Sequence, residues 1–510
     1  MPGEPEPYTL LSPRARTLAG FALALSNLIV VLDLTIANVS VPHIAGNLGI
    51  SPDQGTWIIT SYAVAEAICV PLAGWLALRF GVVRTFVYAM IGFGIFSLLC
   101  GLSQTLTMLV VCRIGQGLCG GPLMPMSQTM LIRIFPPEQR ARAMGLWAMT
   151  TLIGPALGPI IGGSISDNWS WHWIFFINLP IAGLCIFAAL ALLRPIETKT
   201  ERQPIDTVGL MLLVFWIGSL QVMLDIGRDH DWFADPMIAG LGVCAAVGFV
   251  AFIIWELTDD HPIVDLRVFR HMGFTVGVFS FALSFGAYFA SIVIIPQWLQ
   301  ISMGYTATMA GVLTGVTAMA ALTVARLVPK LMGRIDPRVL VGGAVLWLAA
   351  ASLLRTNWTS SIDFWTMAWL QFAQGFAMPF LMIPTTTLTL GAVEPRETAS
   401  AAGLQNFLRT MAVAVATSLV LTVWGNAQRT ATTDLAGKLN PAATQDALSG
   451  AGFSAEQSRQ VIANIVDKEA IAVAVDHVFL VTTVVLLLSF AVVIFSPKPR
   501  AMPGPAPAGH

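Results

Sequence analysis

Four charged side chains stand inside stretches that are otherwise apolar: Asp33, Glu66, Arg113 and Arg409. An ionisable group in a hydrocarbon layer costs at least ~2.5 kcal/mol, so each calls for a partner or a function. A carboxylate that alternates between an apolar surrounding and a nearby cation takes up a proton in one state and releases it in the other. Asp33 offers that chemistry; the alternative is a static, hydrogen-bonded acid. Glu66 is either a second proton or substrate-charge site or a structurally paired carboxylate. Arg113 stays charged under any working condition. A helix sets it on one face with Gln116, Gly117 and Gly120 at i, i+3, i+4 and i+7, with glycines that admit a partner helix. Otherwise Arg113 is a hydrogen-bond hub alone. Gly154, Gly158 and Gly162 recur every fourth residue beside Pro155 and Pro159, a smooth and kinked surface expected to pack between two halves. Arg409 shares a face with Asn406 and is expected to be the second half's buried cation, in a transport or a structural role.

The elements that position these residues follow from composition. Of 510 residues, 56% are hydrophobic and 11% charged, far below the roughly 25% charged residues of a soluble domain. The apolar blocks are roughly 20 residues long, enough to cross a ~30 Å hydrocarbon core. They predict fourteen transmembrane helices, near 17–42, 56–78, 83–102, 106–132, 142–164, 173–193, 207–226, 236–257, 273–298, 305–328, 338–355, 362–389, 398–424 and 474–496. With the N-terminus inside, 19 of the 27 basic residues fall in the inside segments, as the positive-inside rule requires. Arg228 and Arg355 are expected in short outside loops, and the segment 425–473 in a periplasmic loop with short polar helical patterns such as Ser454–Ile465. Trp169, Trp171 and Trp173 are expected as an interfacial belt on that outside face. Asp225, Glu256 and Asp363, near span ends, read as interfacial acids.

Several classes are excluded. A net charge of −1 leaves no basic surplus for nucleic acid. No GxxxxGK[ST] run is present, which argues against direct use of ATP. The six cysteines lie in apolar stretches without metal-ligand spacing, so neither disulfides nor zinc are expected. A polytopic enzyme would cluster histidines or acids at one interface, whereas the seven histidines are scattered. No cofactor is expected beyond protons as a coupling ion.

RIGQGLCGGP at 113–122 parallels QFAQGFAMP at 371–379, and Gly145–Leu146 parallels Gly403–Leu404, both at an offset of 258 residues. Parallel repeats in membrane bundles mark two halves that rock around a midplane site. The expected organisation is a cytoplasmic N-terminus at 1–16 and a six-helix bundle at 17–195. An inserted helix pair follows with its flanking loops at 196–272, then a second six-helix bundle at 273–497 and a cytoplasmic tail at 498–510.

Longer motifs bring in a family. LDLTIANVSVP at 32–42, GWLALRFGVVR at 74–84, RIGQG at 113–117 and GPALGPIIGG at 154–163 resemble the fourteen-helix drug:proton antiporters of the major facilitator superfamily. WHWIFFINLP at 171–180 and WELTDDHPIVDLRVF at 255–269 are similar to the branch that includes inner-membrane pumps of tripartite efflux systems. The resemblance runs over nearly the whole chain. It implies an all-α major facilitator fold of two six-helix bundles plus two inserted helices, and both termini on the cytoplasmic side of a bacterial inner membrane. It also implies export of hydrophobic or amphipathic drugs against inward protons, with a periplasmic membrane-fusion adaptor and an outer-membrane channel as partners; the alternative is a dedicated exporter of one fatty acid or metabolite. Asp33, Glu66 and Arg113 would couple protons. Gln116, Gly154, Pro155, Gly158, Gly162, Asn406 and Arg409 would shape the pathway or gate. One departure stands out: the 74–84 loop has Leu78 where an acid is usual, and Val82 and Val83 where basic residues are usual.

Overall fold

Backbone polar groups in hydrocarbon find no water, so a spanning segment must satisfy them internally, and a helix does so. The computed structural model describes residues 6–201, 204–228, 230–438, 448 and 453–494, and every regular element among them is helical. In the first half these are α1 (Pro13–Leu48), α2 (Pro52–Cys69), α3 (Ala73–Phe80), α4 (Val82–Gly101), α5 (Leu106–Gly120), α6 (Leu123–Ile134), α7 (Pro137–Asn168), α8 (Trp173–Phe176) and α9 (Asn178–Ala188). The inserted pair is α10 (Thr207–Ile226) and α11 (Pro236–Thr258). The second half holds α12 (Met272–Ile301), α13 (Ala307–Ala325), α14 (Val328–Met332), α15 (Pro337–Arg355), α16 (Phe364–Gly375), α17 (Ala377–Gly391), α18 (Thr398–Lys438) and α19 (Ala455–Ile494).

Eleven helical stretches are long and apolar enough to span a membrane, and two bent pairs raise the count to thirteen. The remaining expected span, 362–389, is α16 and α17, of 12 and 15 residues, jointed at Phe376. Proline accounts for the joints, because it removes a backbone donor and clashes with the preceding turn. Pro71 lies where α2 turns 59° into α3, Pro122 separates α5 from α6, and α7 bends by 44° between Pro155 and Ile160.

The inserted pair lies along the seam between the halves. Trp216 of α10 packs edge-on against Phe407 of α18 and beside Phe252 of α11, in one apolar cluster with Ala67 of α2. Ser418 donates to the Leu224 carbonyl at 2.8 Å. The outer face of α11, with Val243, Val247, Val250 and Ile254, is exposed, as a lipid-facing helix requires. At its end the buried Glu256 accepts the Val264 N–H at 3.1 Å, and Trp255 donates to Asp206, the N-cap of α10, at 3.0 Å. The WELTDDHPIV motif thereby fastens the two inserted helices together.

The segment expected as a loop at 425–473 is mostly helix. α18 has 41 residues and α19 has 40, about twice the ~20 that cross a bilayer. Residues 425–438 and 455–473 therefore project beyond the hydrocarbon layer, the former by about 21 Å at 1.5 Å per residue. Gln428 donates to Asp467 at 3.0 Å between the projections, and Ser360 donates to Glu469. A capping box of Ser454 and Gln457 starts α19. Residues 439–447 and 449–452 of this segment, residues 1–5, and the expected tail 498–510 lie outside the described residues. Of the expected tryptophan belt, Trp169 and Trp173 are exposed. Trp171 is instead buried and donates to Asn47 Oδ1 at 3.1 Å.

Candidate functional site

Asp33, within one turn of the middle of α1, meets Arg113 of α5: Nη1 lies 2.5 Å from Oδ2, with both groups shut off from solvent. Gln116 Nε2 donates to Asp33 Oδ1 at 2.9 Å, and Asn178 Nδ2 donates to the same oxygen at 2.7 Å. Arg113 is held in turn by the Ile58 carbonyl at 3.0 Å and Gln116 Oε1 at 2.9 Å. Its guanidinium lies 4.1 Å from the Tyr62 ring centroid. Such a stacked cation–π contact is worth about 2 kcal/mol when desolvated. Asn178 reaches Ser97 at 3.0 Å, and Ser97 donates to the Phe175 carbonyl at 2.8 Å. The glycines on the Arg113 face are needed for this closeness: a Cβ on Gly117 would collide with the Tyr62 carbonyl, and one on Gly120 would lie 2.7 Å from the Tyr62 hydroxyl.

The three expected proton residues are thus divided. Asp33 and Arg113 are one cluster with Gln116, whereas the Glu66 carboxylate accepts no hydrogen bond among the described residues. Its leading charge partner is Arg409 of the second half. Arg409 is buried, with Nη2 on the Met124 sulfur at 3.0 Å and its guanidinium between the rings of Trp147 and Phe285 at 5.8 and 5.5 Å. Beside it Asn406 donates to Gln128 Oε1 of α6 at 2.5 Å. Arg409 and Asn406 therefore bind the halves to each other.

The glycine stripe departs from expectation. Gly154, Gly158 and Gly162 face Val31, Thr35 and Ile36 of α1, so they seat α7 within its own half and not against the other. Thr35 also donates to the Gly154 carbonyl at 3.3 Å. A helix turns 100° per residue, so Pro155 points elsewhere. It lines a cleft shared with α12, α13 and α16 of the second half. Where the halves do meet closely is the face rich in basic residues. There a Cβ on Gly74 would collide with Ser400, one on Gly403 would lie 3.0 Å from the Val70 carbonyl, and one on Gly145 would lie 3.2 Å from Ile383. The 74–84 loop has its acid from another part of the chain. Glu197, after α9, accepts the Val83 and Arg84 N–H groups at 3.0 Å each and caps α4, against Gly81 at φ +89°.

Arg355 is the largest departure. Expected in an outside loop, it is 1% exposed. Its Nη2 donates to Gln371 Oε1 and Gln374 Oε1, and the rings of Trp358 and Phe479 flank it at 5.5 and 5.6 Å. No carboxylate bridges it among the described residues. One signal was available in sequence, away from Arg355 itself: Gln371 and Gln374 share a helix face. Asn178 was likewise missed, although it is a lone amide in an apolar run as Asp33 is a lone acid.

The repeat explains where Arg355 sits. Gly117 approaches Tyr62 and Ala65; Gly375 approaches Thr317 and Ala320. Ser97 donates to the Phe175 carbonyl; Ser352 donates to that of Phe479 at 2.9 Å. Gly154 packs on Val31, and its counterpart Ala412 packs on Gly286. These contacts set α1–α4 against α12–α15 at an offset of 255, while α5–α7 follow the offset of 258; three extra residues stand before α16. Asp33 then corresponds to Tyr288, Cys100 to Arg355, Arg113 to Gln371 and Gln116 to Gln374.

A profile described as Major Facilitator Superfamily matches residues 23–417. The chain is 41% identical over 495 residues to the multidrug export protein EmrB of Escherichia coli K12, spanning 96% of this chain and 97% of that one. It is 39% identical over 497 residues to the fatty acid resistance protein FarB of Neisseria gonorrhoeae, spanning 96% and 98%. Among solved structures, the human organic anion transporter MFSD10 superposes with a TM-score of 0.58 at 16% identity, covering 94% of this chain and all of that one, a likeness of fold.

Proposed function

The chain belongs to the Major Facilitator Superfamily, and from that premise we propose that it is a proton-driven antiporter exporting hydrophobic or amphipathic compounds across a bacterial inner membrane. The single observation that carries the coupling is the enclosed Asp33–Arg113 pair, with Gln116 and Asn178 on the second carboxylate oxygen. Protonating Asp33 releases Arg113 from its ion pair, and deprotonating it restores the pair, so proton occupancy changes the forces between α1 and α5. Glu66 accepts no hydrogen bond among the described residues and feels the charge of Arg409 in the other half more strongly than that of Arg113 in its own. Its protonation would loosen the contact between halves, which is the step that alternation needs. Each inward proton supplies ~2.3 kcal/mol per 100 mV.

The basic face is the cytoplasmic one in this reading, with both termini on it. The close glycine contacts at Gly74, Gly403 and Gly145 form the cytoplasmic seal. The projecting ends of α18 and α19 lie in the periplasm and offer a docking surface for a membrane-fusion adaptor, and through it an outer-membrane channel. The relatives' printed functions, multidrug export and fatty acid resistance, support broad export of apolar compounds; a dedicated fatty acid exporter is the second reading, favoured by the FarB likeness.

Asp33→Asn in proteoliposomes should abolish dye export driven by an imposed pH gradient; undiminished export would remove Asp33 from the mechanism. Removing the 425–473 projections should weaken capture of the adaptor while leaving insertion intact, and unchanged capture would remove them as the docking surface.

A further inference from the structure

Arg355 is a cation in the membrane layer whose charge no carboxylate balances among the described residues. An arginine has only donors, so the Gln371 and Gln374 oxygens must turn toward it, and both do. Their amide N–H groups therefore point away, and no acceptor among the described residues takes them. Both glutamines are at least 96% buried, and both line the cleft that Pro155 shares with α12, α13 and α16. Tyr288, Ser291, Thr314 and Thr317 line the same cleft. The remaining walls, Ile292, Ile295 and Ala318, are apolar. Arg355 Nε is itself buried without an acceptor.

We infer that this cleft is a binding site for the carboxylate of a hydrophobic acid, with the Gln371 and Gln374 amides as direct donors and Arg355 behind them as the balancing charge. The ligand supplies to the second half the negative charge that Asp33 supplies to the first. The site has an internal control in the repeat, since Tyr288 stands at the place of Asp33: a carboxylate there would neutralise Arg355, and a phenol leaves it open. The inference rests on the transport reading for its biological use and names a substrate class for it.

The test is equilibrium binding of radiolabelled dodecanoate to the full chain in nanodiscs of zwitterionic lipid, with unlabelled dodecanoate or 1-dodecanol as competitor. A hydrogen bond to a charged group contributes about 1.5–3 kcal/mol, so dodecanoate should compete at least about tenfold better than dodecanol. Gln374→Glu places a carboxylate against Arg355 and should remove that preference. Tyr288→Phe, which removes one donor and keeps the ring, should reduce the preference a few-fold. Equal competition by acid and alcohol in the native chain, or a preference that survives Gln374→Glu, would overturn the site. No proton gradient enters this measurement. An intact preference with no gradient-driven dye export would sink the transport reading alone. A missing preference with normal dye export would sink this site alone.

Discussion

In the first half Arg113 touches Asp33 at 2.5 Å and stacks on Tyr62. In the second half Arg355 has two glutamine oxygens, two flanking rings, and Tyr288 where the acid would be. The scaffolds around them repeat nearly contact for contact: Ser97 and Ser352 bond equivalent phenylalanine carbonyls, and Gly117 and Gly375 press on equivalent backbone. The difference teaches that a duplicated frame can keep its packing while exchanging its charges. The Asp33–Arg113 pair of one half is neutral in itself, a state that a proton can disturb. The other has a standing positive charge, a state that an anion can settle.

The largest test of that contrast is stability. Arg113→Leu leaves Asp33 buried without a counter-charge and should lower unfolding free energy by about 3–5 kcal/mol. Arg355→Leu strands two amide oxygens but no charge and should cost about 1–3 kcal/mol. Steric-trapping or detergent unfolding of both variants checks the order, and equal losses would break the contrast. Gly117→Ala and Gly375→Ala test what the halves share. Each forces a methyl group into backbone of the neighbouring helix and should cost about 1–3 kcal/mol, with the two losses alike; a loss confined to one half would refute equivalent packing. Asn406→Ala removes the 2.5 Å bond to Gln128 between halves and should cost about 1 kcal/mol. Its second readout is faster cysteine cross-linking across the basic face, and an unchanged rate would show that the bond does not hold the seal. The smallest effect belongs to the helix caps at equivalent positions, Thr105 of α5 and Asp363 of α16. Alanine at either should cost about 0.5–1 kcal/mol in thermal-shift measurements, and a much larger loss at Asp363 would give it more than a capping role.

Much of the fold was legible because lipid imposes simple demands. Blocks of about 20 apolar residues declare spans. Half of the site was legible for the same reason: Asp33, Glu66 and Arg113 are conspicuous in apolar runs. Arg355 was not, because it closes a helix and precedes a polar run, and nothing local distinguishes a buried end from an exposed one. The glycine stripe was legible as a packing surface but not as to its partner, since periodicity gives a face and not what it faces. The helical projections of α18 and α19 were hidden by their polarity, which reads as a loop when a membrane span is sought.

The sequence by itself determined that this chain crosses a membrane many times, that it is built on a repeat, and that it buries ionisable groups. These follow from composition, spacing and the cost of charge in hydrocarbon, which are properties of single segments. Only the tertiary structure decided that Asp33 belongs to Arg113, that Arg409 and Asn406 reach Met124 and Gln128 across the seam, and that Arg355 stands without an acid behind a pair of amides. Those are relations between helices up to hundreds of residues apart, and they exist only once packing has chosen which faces meet.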